Sequence, residues 1–375
     1  MAKGSEGAEE VTVRRGEEEG EEGEKREEEE RLWVLSIQSF VVHGYVGNKC
    51  SMFALQTLGL DVDPLCTVLF SNHTGYPAWR GASLSAAQLD DLVAGLAHPA
   101  VNALARYTHV LSGYCRDAAS LATVARTVQA LRRARPRLVY LCDPVMGDDG
   151  ALYVPRAVAD VYRTTVVRLA DTVKLNQTEA ETLTGVRIAD LAGVAAALAA
   201  LVALGPRTAV ISSCRIADTR SCAMLARALH LVPPARASKE GHQDAKEDVQ
   251  GAGKNQDPDA QDAEDDAKAA MAVSKYMFVF GQGADGDRFV IGVPVLEGAF
   301  SGTGDLFSAL LLAWMARGDS AAAACEKTVA AISCVLRRTI AAHSTELLLV
   351  QSRRDIEAPP AELFRAVPLP SLEDS

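Results

Sequence analysis

The sequence lacks the features that would place it in a membrane or on a nucleic acid. No stretch reaches the roughly 18 consecutive apolar residues that a membrane-spanning helix needs. The N-terminus is acidic, without a basic region followed by an apolar one, so we expect no signal peptide. The net charge is −11, whereas nucleic-acid binding needs a basic surface. We therefore expect neither a membrane nor a nucleic acid among the partners.

Paired cysteines are also missing. The eight cysteines stand singly, without a Cys-x-x-Cys pair or a regular spacing. Cys142 and Cys214 lie in or beside apolar runs, which predicts that they are small buried thiols. This usage fits a reducing compartment, and we expect a cytoplasmic protein.

Most of the negative charge lies in two segments. Residues 1–31 contain 13 Glu against 6 Lys and Arg, and residues 238–270 contain 10 acidic residues against 4 Lys. Segments of this kind bury too little apolar surface to offset the entropy of ordering. We expect a disordered acidic tail at 1–31 and one folded domain over 32–368. A disordered acidic insertion at about 235–272 would interrupt this domain.

Within the domain, short apolar runs alternate with amphipathic segments. The runs predict strands at 32–37, 65–70, 107–112, 137–142, 208–213, 276–280 and 288–293. The amphipathic segments predict helices at 48–58, 85–97, 117–134, 178–184, 190–204, 304–317 and 321–342. This alternation predicts an α/β fold with a mainly parallel central sheet and helices on both faces. Ligands of such folds bind beyond the carboxyl ends of the strands, so we take the residues that follow strands as site candidates.

Two glycine patterns resemble nucleotide-binding motifs without meeting their requirements. "GQGADG" (281–286) matches the dinucleotide fingerprint, but a strand-like run follows where that fingerprint needs a helix. We interpret it as a hairpin turn. "GYVGNKCS" (44–51) lacks the adjacent Gly-Lys of a P-loop at the required spacing.

The stretch "SGTGD" (301–305) opens an apolar helix and predicts an anion site. Glycines ahead of a helix let backbone N–H groups converge, and the helix dipole adds positive potential. Asp305 falls in the first turn, where the dipole favours its ionised form. Beside a bound phosphate, this carboxylate could accept a hydroxyl proton while a phosphoryl group leaves ATP. On this stretch alone, a simple helix start with a glycine turn is an equal alternative.

Acidic residues in two further segments predict a metal site. In "LCDPVMGDDGALYVP" (141–155), Asp143 ends a strand and Asp148 lies in the following loop, which suits Mg²⁺. In "KLNQTEAETLTG" (174–185), Asn176 and Glu179 share a helix face. Asn176 also suits a helix cap, whereas we interpret Glu179 as a metal or water ligand.

Two other polar positions have weaker signals. Ser212 and Ser213 end a strand in "VISSC" (210–214), where hydroxyls suit either a polar ligand or a simple turn. His73 has no acidic residue nearby in the sequence to orient it, and we leave it outside the chemistry.

The order of these stretches resembles the ribokinase-like superfamily and, within it, the pyridoxal kinase family. The resemblance covers about 32–215 and 275–355 and is carried by seven segments: 35–59, 70–79, 111–117, 137–155, 175–185, 301–315 and 324–330. It implies a ribokinase-like domain with a small edge-strand lid, and a homodimer. It also implies ATP-dependent phosphorylation of the 5′-hydroxyl of pyridoxal, pyridoxine or pyridoxamine, which gives pyridoxal 5′-phosphate from pyridoxal.

The resemblance further implies roles for individual residues. On the substrate side, Ser39 contacts the pyridine ring, Thr74 contacts the ring substituents, and Val68 and Tyr114 form the pocket wall. Asp305 is the general base. The ATP side consists of Asp143, Tyr153, Asn176, Glu179, Ser212, Ser213, Gly302, Thr303 and Gly304, with Tyr153 on a flap. Asp148 and Glu179 hold Mg²⁺, and Asp143 and Ser212 are candidate ligands of a monovalent cation such as K⁺.

The sequence departs from the family at Lys174–Leu175, where relatives have Thr-Pro. The Lys174 ammonium could replace the monovalent cation, or it could face solvent while backbone carbonyls hold the ion. Two other functions stay open: a hydroxymethylpyrimidine kinase, and a catalytically silent protein that binds B6 vitamers. Segments 35–48 and 70–76 favour pyridoxal as substrate, and the retained acidic residues favour an active enzyme.

Overall fold

The computed structural model describes residues 31–231 and 258–370. Its strands are β1 (Trp33–Val41), β2 (Asp61–Phe70), β3 (Gly81–Ser83), β4 (His109–Ser112), β5 (Val139–Cys142), β6 (Gly147–Asp148), β7 (Ala151–Leu152), β8 (Thr172–Leu175), β9 (Thr208–Cys214), β10 (Tyr276–Gln282), β11 (Arg288–Pro294) and β12 (Val367–Pro368). Its helices are α1 (Gly47–Thr57), α2 (Ala86–Ala97), α3 (Ala118–Ala134), α4 (Arg156–Val161), α5 (Gln177–Thr184), α6 (Leu191–Leu204), α7 (Thr219–Ala228), α8 (Pro258–Val273), α9 (Thr303–Ala316), α10 (Ala321–Ala341) and α11 (Arg353–Glu357).

Ten of these strands form one sheet in the order β12-β11-β10-β9-β8-β5-β4-β1-β2-β3. The six strands from β9 to β2 in this order pair in parallel. Antiparallel strands flank them, with β10, β11 and β12 at one end and β3 at the other. The predicted mainly parallel sheet is therefore confirmed. Because parallel strands end at the same edge, the loops after β1, β2, β4, β5, β8 and β9 surround one region.

Helices cover both faces of the sheet. On β4, Val110 belongs to one apolar core and its neighbour Leu111 to the other, since successive strand residues point to opposite faces. The first core includes Val128 of α3 and continues to α6 and α7, and the second includes residues of α1, α9 and α10. Burial on both faces explains why the strands are nearly continuous apolar runs.

All seven predicted strands and all seven predicted helices are present, with ends that differ by a few residues. The interpretation of "GQGADG" as a turn is confirmed, since β10 and β11 form an antiparallel hairpin around it. Cys142 and Cys214 are buried, as expected, and all eight cysteines are free. In the two described ranges, no helix is both long enough and apolar enough to cross a membrane.

The structure differs from the sequence-based expectation in the acidic insertion. Residues 1–30 and 232–257 lie outside the described residues, but 258–273 form α8 instead of a disordered segment. Ala269 is 4% exposed and Val273 is 1% exposed, because they pack into the first apolar core. Arg227 of α7 also pairs with Asp266 of α8 at 3.2 Å. Because the segment is highly charged, its composition did not indicate that part of it forms a helix with one apolar edge.

Candidate active site

Asp305 lies at the start of α9 and is held there by a second helix. Gly302, the N-cap, has a φ of +87°, and a Cβ on it would lie 2.0 Å from the Tyr45 carbonyl oxygen, so the turn requires glycine. One Asp305 carboxylate oxygen, Oδ2, accepts a 2.7 Å hydrogen bond from the backbone N–H of Gly47, the first residue of α1. The carboxylate is therefore fixed in direction at the carboxyl edge of the sheet.

The surroundings of Asp305 raise its pKa to about 6. Burial is the largest cause, and the negative charge of Asp143 acts in the same direction. The Gly47 hydrogen bond and the Lys174 ammonium lower the pKa and partly offset this effect. A carboxylate with a pKa near 6 is still ionised at neutral pH, yet it is a better proton acceptor than an ordinary aspartate.

Lys174 and Asp143 form a buried ion pair beside this turn. The Lys174 ammonium lies 2.8 Å from Asp143 Oδ2, and the two side chains are 5% and 1% exposed. Ser308 on α9 donates a second hydrogen bond of 2.6 Å to the same oxygen. The other oxygen, Asp143 Oδ1, is buried and has no hydrogen-bond partner among the described residues. One acceptor is thus left for a ligand.

The ion pair lies directly beneath the glycine turn. A Cβ placed on Gly304 would be 3.3 Å from Lys174 Nζ, so a side chain there would crowd the ammonium. Burial lowers the pKa of Lys174, but the charges of Asp143, Glu179 and Asp305 outweigh it and the net pKa is raised. Lys174 is therefore cationic and faces the site. The alternative in which Lys174 faces solvent is wrong.

Glu179 has a structural role that the sequence analysis did not assign to it. It forms a capping box with Asn176: the Asn176 side chain accepts from the Glu179 N–H, and Glu179 Oε2 accepts from the Asn176 N–H at 2.9 Å. Its other oxygen accepts from the Met146 N–H at 2.9 Å. Glu179 therefore takes part in the helix cap, and its role as a metal or water ligand stays a prediction. Burial and Asp143 nevertheless raise its pKa to about 8, against the effect of Lys174.

The short hairpin of β6 and β7 lies over the start of α5. Asn176 Nδ2 donates to the Gly147 carbonyl at 2.7 Å, and the Gly150 N–H donates to Thr178 Oγ1 at 2.8 Å. Asp148 on this hairpin is exposed. In residues 31–231 and 258–370, no three acidic, histidine or cysteine side chains converge as a preformed metal site.

Tyr153 follows this hairpin and is 59% exposed. Partial burial raises the pKa of its hydroxyl, followed by the negative charges of Glu179, Asp143, Asp148 and Asp305. The negative charges of all four predicted acidic residues thus act on the Tyr153 hydroxyl. Ser212 and Ser213, at the end of β9, are half-buried, and Ser212 donates to the Leu175 carbonyl at 3.1 Å.

Two residues of the predicted substrate side, Val68 and Tyr114, belong to a separate apolar cluster. Val68 is buried in a small cluster with Val41 and Phe70, against which Val46 and Tyr114 pack. Val46 immediately precedes Gly47, whose N–H binds Asp305, so the cluster adjoins the residue that holds this carboxylate. The oxygens of Ser39 lie against Gly47, where a Cβ would be 2.2 Å from the Ser39 carbonyl oxygen. Thr74 is exposed in the loop after β2.

Three residues of the site were missed by sequence reasoning. Gly47 orients Asp305, Ser308 supports Asp143, and Glu346 contacts His73, with its Oε1 lying 3.4 Å from His73 Nε2. Ser308 lies one helical turn after Asp305, and that spacing was a usable signal. Nothing local in the sequence connects Gly47 or Glu346 to the site, because both depend on contacts between distant segments.

The parallel sheet and a carboxylate behind a glycine turn at its carboxyl edge define a ribokinase-like α/β kinase. No protein-family model matches the chain. Pyridoxal kinase of Bos taurus is 38% identical over 349 residues, which cover 88% of this chain and 97% of the bovine protein. Pyridoxal kinase of Arabidopsis thaliana is 38% identical over 341 residues, covering 88% and 93%. The chain belongs to the pyridoxal kinase family.

Solved structures agree with this assignment. The structure of pyridoxal kinase from Leishmania donovani in complex with ADP and pyridoxamine is 31% identical. It matches with a TM-score of 0.70 and covers 90% of this chain and 99% of that chain. The same protein has also been solved in complex with ADP and pyridoxine.

Proposed function

We propose that this protein transfers the γ-phosphoryl group of ATP to the 5′-hydroxyl of pyridoxal, pyridoxine or pyridoxamine. The observation that carries this proposal is the Asp305 carboxylate, held by the Gly47 N–H behind the glycine turn of α9. The identity to pyridoxal kinases over most of the chain supports it. So do the complexes of the Leishmania donovani enzyme with ADP and two B6 vitamers.

The reaction follows from the arrangement of these groups. Asp305 accepts the proton of the 5′-hydroxyl. The hydroxyl oxygen bonds to the γ-phosphorus while the bond between the γ-phosphorus and the bridging oxygen of the β-phosphate breaks, and ADP leaves. The backbone N–H groups of Gly302, Thr303 and Gly304, with the helix dipole, stabilise the charge on the transferring group. The Lys174 ammonium beneath Gly304 adds fixed positive charge.

On the substrate side, we assign the vitamer ring to the surface of Val68 and Tyr114, an apolar wall with one flat aromatic face. Ser39 contacts the ring and Thr74 contacts its substituents. Because Val46 packs on this wall and Gly47 binds Asp305, a ring on the wall would bring a 5′-hydroxyl toward the base.

On the nucleotide side, ATP would be bound by the groups that surround Asp305 at the sheet edge. Tyr153 would cover the nucleotide and limit access of water. The remaining contacts are assigned to Asp143, Asn176, Glu179, Ser212 and Ser213.

Mg²⁺ fits these residues as an ion shared with the phosphates of ATP rather than one bound by protein ligands alone. Asp143 Oδ1 is buried without a partner in the described part of the chain, both Glu179 oxygens already accept N–H groups, and Asp148 is exposed. Mg²⁺ commonly takes one or two carboxylates with phosphates and water, so Asp148 and Glu179 would hold it partly through water. When bound, it would neutralise phosphate charge during transfer.

We also propose that Lys174 takes the place of a monovalent cation. Its ammonium already neutralises Asp143, one of the two residues assigned to such an ion, at 2.8 Å. Ser212, the other, donates to the Leu175 carbonyl. We therefore expect a rate that does not depend on K⁺.

We also propose that the protein is cytoplasmic, which its eight free cysteines support. We propose that it forms a homodimer.

The test of the function is ADP release with each vitamer and with hydroxymethylpyrimidine, under saturating ATP and Mg²⁺. We expect turnover with at least one B6 vitamer and a much lower kcat/KM with hydroxymethylpyrimidine. Preference for hydroxymethylpyrimidine would identify the other kinase. Binding of pyridoxal without ADP release would indicate a silent binding protein.

A further inference from the structure

Glu346 provides the acidic partner that His73 lacks in the sequence. Its Oε1 accepts a 2.7 Å hydrogen bond from the Tyr76 hydroxyl and lies 3.4 Å from His73 Nε2. Its Oε2 accepts the Tyr45 N–H at 3.2 Å. The side chains of Glu346 and His73 are 13% and 17% exposed. One carboxylate from the C-terminal part of the chain thus contacts both the loop after β1 and the loop after β2.

The hydrogen bonds around His73 indicate its tautomer. The Gly75 N–H donates to His73 Nδ1 at 3.2 Å, so Nδ1 is an acceptor. In a neutral ring the proton is then on Nε2, where it faces Glu346 Oε1. His73 Nε2 is thus in polar contact with Glu346 Oε1 at 3.4 Å, and Ser301 Oγ lies 3.4 Å from His73 Nδ1.

These contacts adjoin residues that are assigned to the vitamer side and to the base. Tyr45 is two residues before Gly47, which binds Asp305, and the Tyr45 carbonyl packs against Gly302. Thr74, assigned to the ring substituents, adjoins His73. The position of Glu346 leaves no room beside it: a Cβ on Gly44 would lie 2.2 Å from Glu346 Oε2. The loop at 44–46 is thus shaped around this carboxylate.

We propose that Glu346 is a positioning residue for the B6 vitamer. By binding Tyr45, Tyr76 and His73 together, it fixes loops 42–46 and 71–80 on either side of the ring pocket. This inference rests on the proposed function, because it assigns the pocket between these loops to the vitamer. It predicts that Glu346 affects pyridoxal binding and leaves ATP binding unchanged, since its contacts lie on the loops after β1 and β2.

The experiment compares Glu346→Ala, Tyr76→Phe and the double variant with the wild type. We expect Glu346→Ala to raise the KM for pyridoxal about 10-fold, the usual effect of one hydrogen bond to a charged group. The KM for ATP should stay within about twofold. Tyr76→Phe should raise the KM for pyridoxal less. The double variant should be no worse than Glu346→Ala, because the Tyr76 hydroxyl acts through that carboxylate.

Glu362→Ala is the matched control, since Glu362 is an exposed acid in the same C-terminal region and should change neither KM. A folded Glu346→Ala with an unchanged KM for pyridoxal, or with equal changes for both substrates, would overturn the inference. If Glu346→Ala does not fold, Tyr76→Phe decides: an unchanged KM for pyridoxal overturns it. Absence of wild-type turnover with any vitamer would instead count against the proposed function.

Discussion

At the scale of single residues, the chemistry of the site depends on one ammonium among three carboxylates. Lys174 pairs with Asp143 and lowers the pKa values of Glu179 and Asp305, while Asp143 raises both. Without this cation, the negative charges of Asp143 and Asp305 would oppose the approach of ATP, which is itself anionic. We therefore expect Lys174 to let the site keep Asp305 at a raised pKa and still admit a phosphate.

Replacing Asp305 with Asn removes the proton acceptor and keeps the shape. We expect kcat to fall about 10²–10⁴-fold, the usual contribution of general base catalysis, with pyridoxal binding largely retained. The melting temperature should not fall, because burial disfavours the charged form of Asp305. Turnover within a few-fold of wild type would show that another group takes the proton.

The pH dependence of kcat/KM should report the same carboxylate. With a pKa of about 6, Asp305 becomes protonated and inactive below that pH, so kcat/KM should fall about tenfold per pH unit there. Besides burial and the Gly47 N–H, the charges of Asp143 and Lys174 act on the pKa of Asp305. The neighbouring Cys50 thiol stays neutral in this range, because burial and then the charge of Asp305 raise its pKa well above the usual value. An acidic limb near pH 4 would contradict the raised pKa.

Lys174→Thr tests the fixed cation. The wild-type rate should be the same in K⁺ and in tetramethylammonium at equal ionic strength, whereas Lys174→Thr should gain activation by K⁺. The variant should also melt at a higher temperature in K⁺, since a bound ion stabilises the folded state. Lys275→Thr, which removes an exposed lysine, should show neither change. Strong K⁺ activation of the wild type would refute the idea.

At the scale of elements, regular helices and long apolar strands were predictable and contact-dependent elements were not. The helix from 303 and the strand from 208 follow from periodicity and β-branched composition. β8 was missed because "TVKL" contains a lysine, which a buried strand tolerates only when a partner such as Asp143 neutralises it. The position of Asp305 in the first turn of a helix was predictable from its glycine turn. Gly47 contacts Asp305, and Glu346 contacts His73, only through tertiary contacts.

The start of α1 offers a prediction at this scale. Gly47 has a φ of +53°, and a Cβ on it would lie 2.2 Å from the Ser39 carbonyl oxygen. We expect Gly47→Ala to lower kcat/KM at least about tenfold, because the displaced N–H no longer orients Asp305. Gly59→Ala is the control: Gly59 has a φ of +83° and open space around it. It should cost about 1 kcal/mol of stability and no activity. Equal activity losses in both variants would argue against the orienting role.

At the scale of the whole molecule, the acidic net charge says little about the folded part. Outside residues 1–31 and 238–270, the chain carries a net charge of about +2. Composition marks both segments as polar, but it cannot show that 258–273 pack against α7 and β10. A helix with a few buried side chains among many charged ones gives only a weak signal in the sequence. Those few side chains are nevertheless enough to pack the helix against its neighbours.

Two redesigned chains separate the packed part of the insertion from the rest. Both lack residues 1–30; one replaces 238–256 with a short Gly/Ser linker, and the other replaces 238–270. The first should match the wild type in turnover and melting temperature, since shortening a loop changes its closure entropy only slightly. The second loses Ala269 and the Arg227–Asp266 pair, and should melt at least about 3 °C lower, which corresponds to roughly 1 kcal/mol. Equal melting temperatures would show that α8 adds no stability, and a loss of activity in the first chain would show that 1–30 or 238–256 contributes to the site.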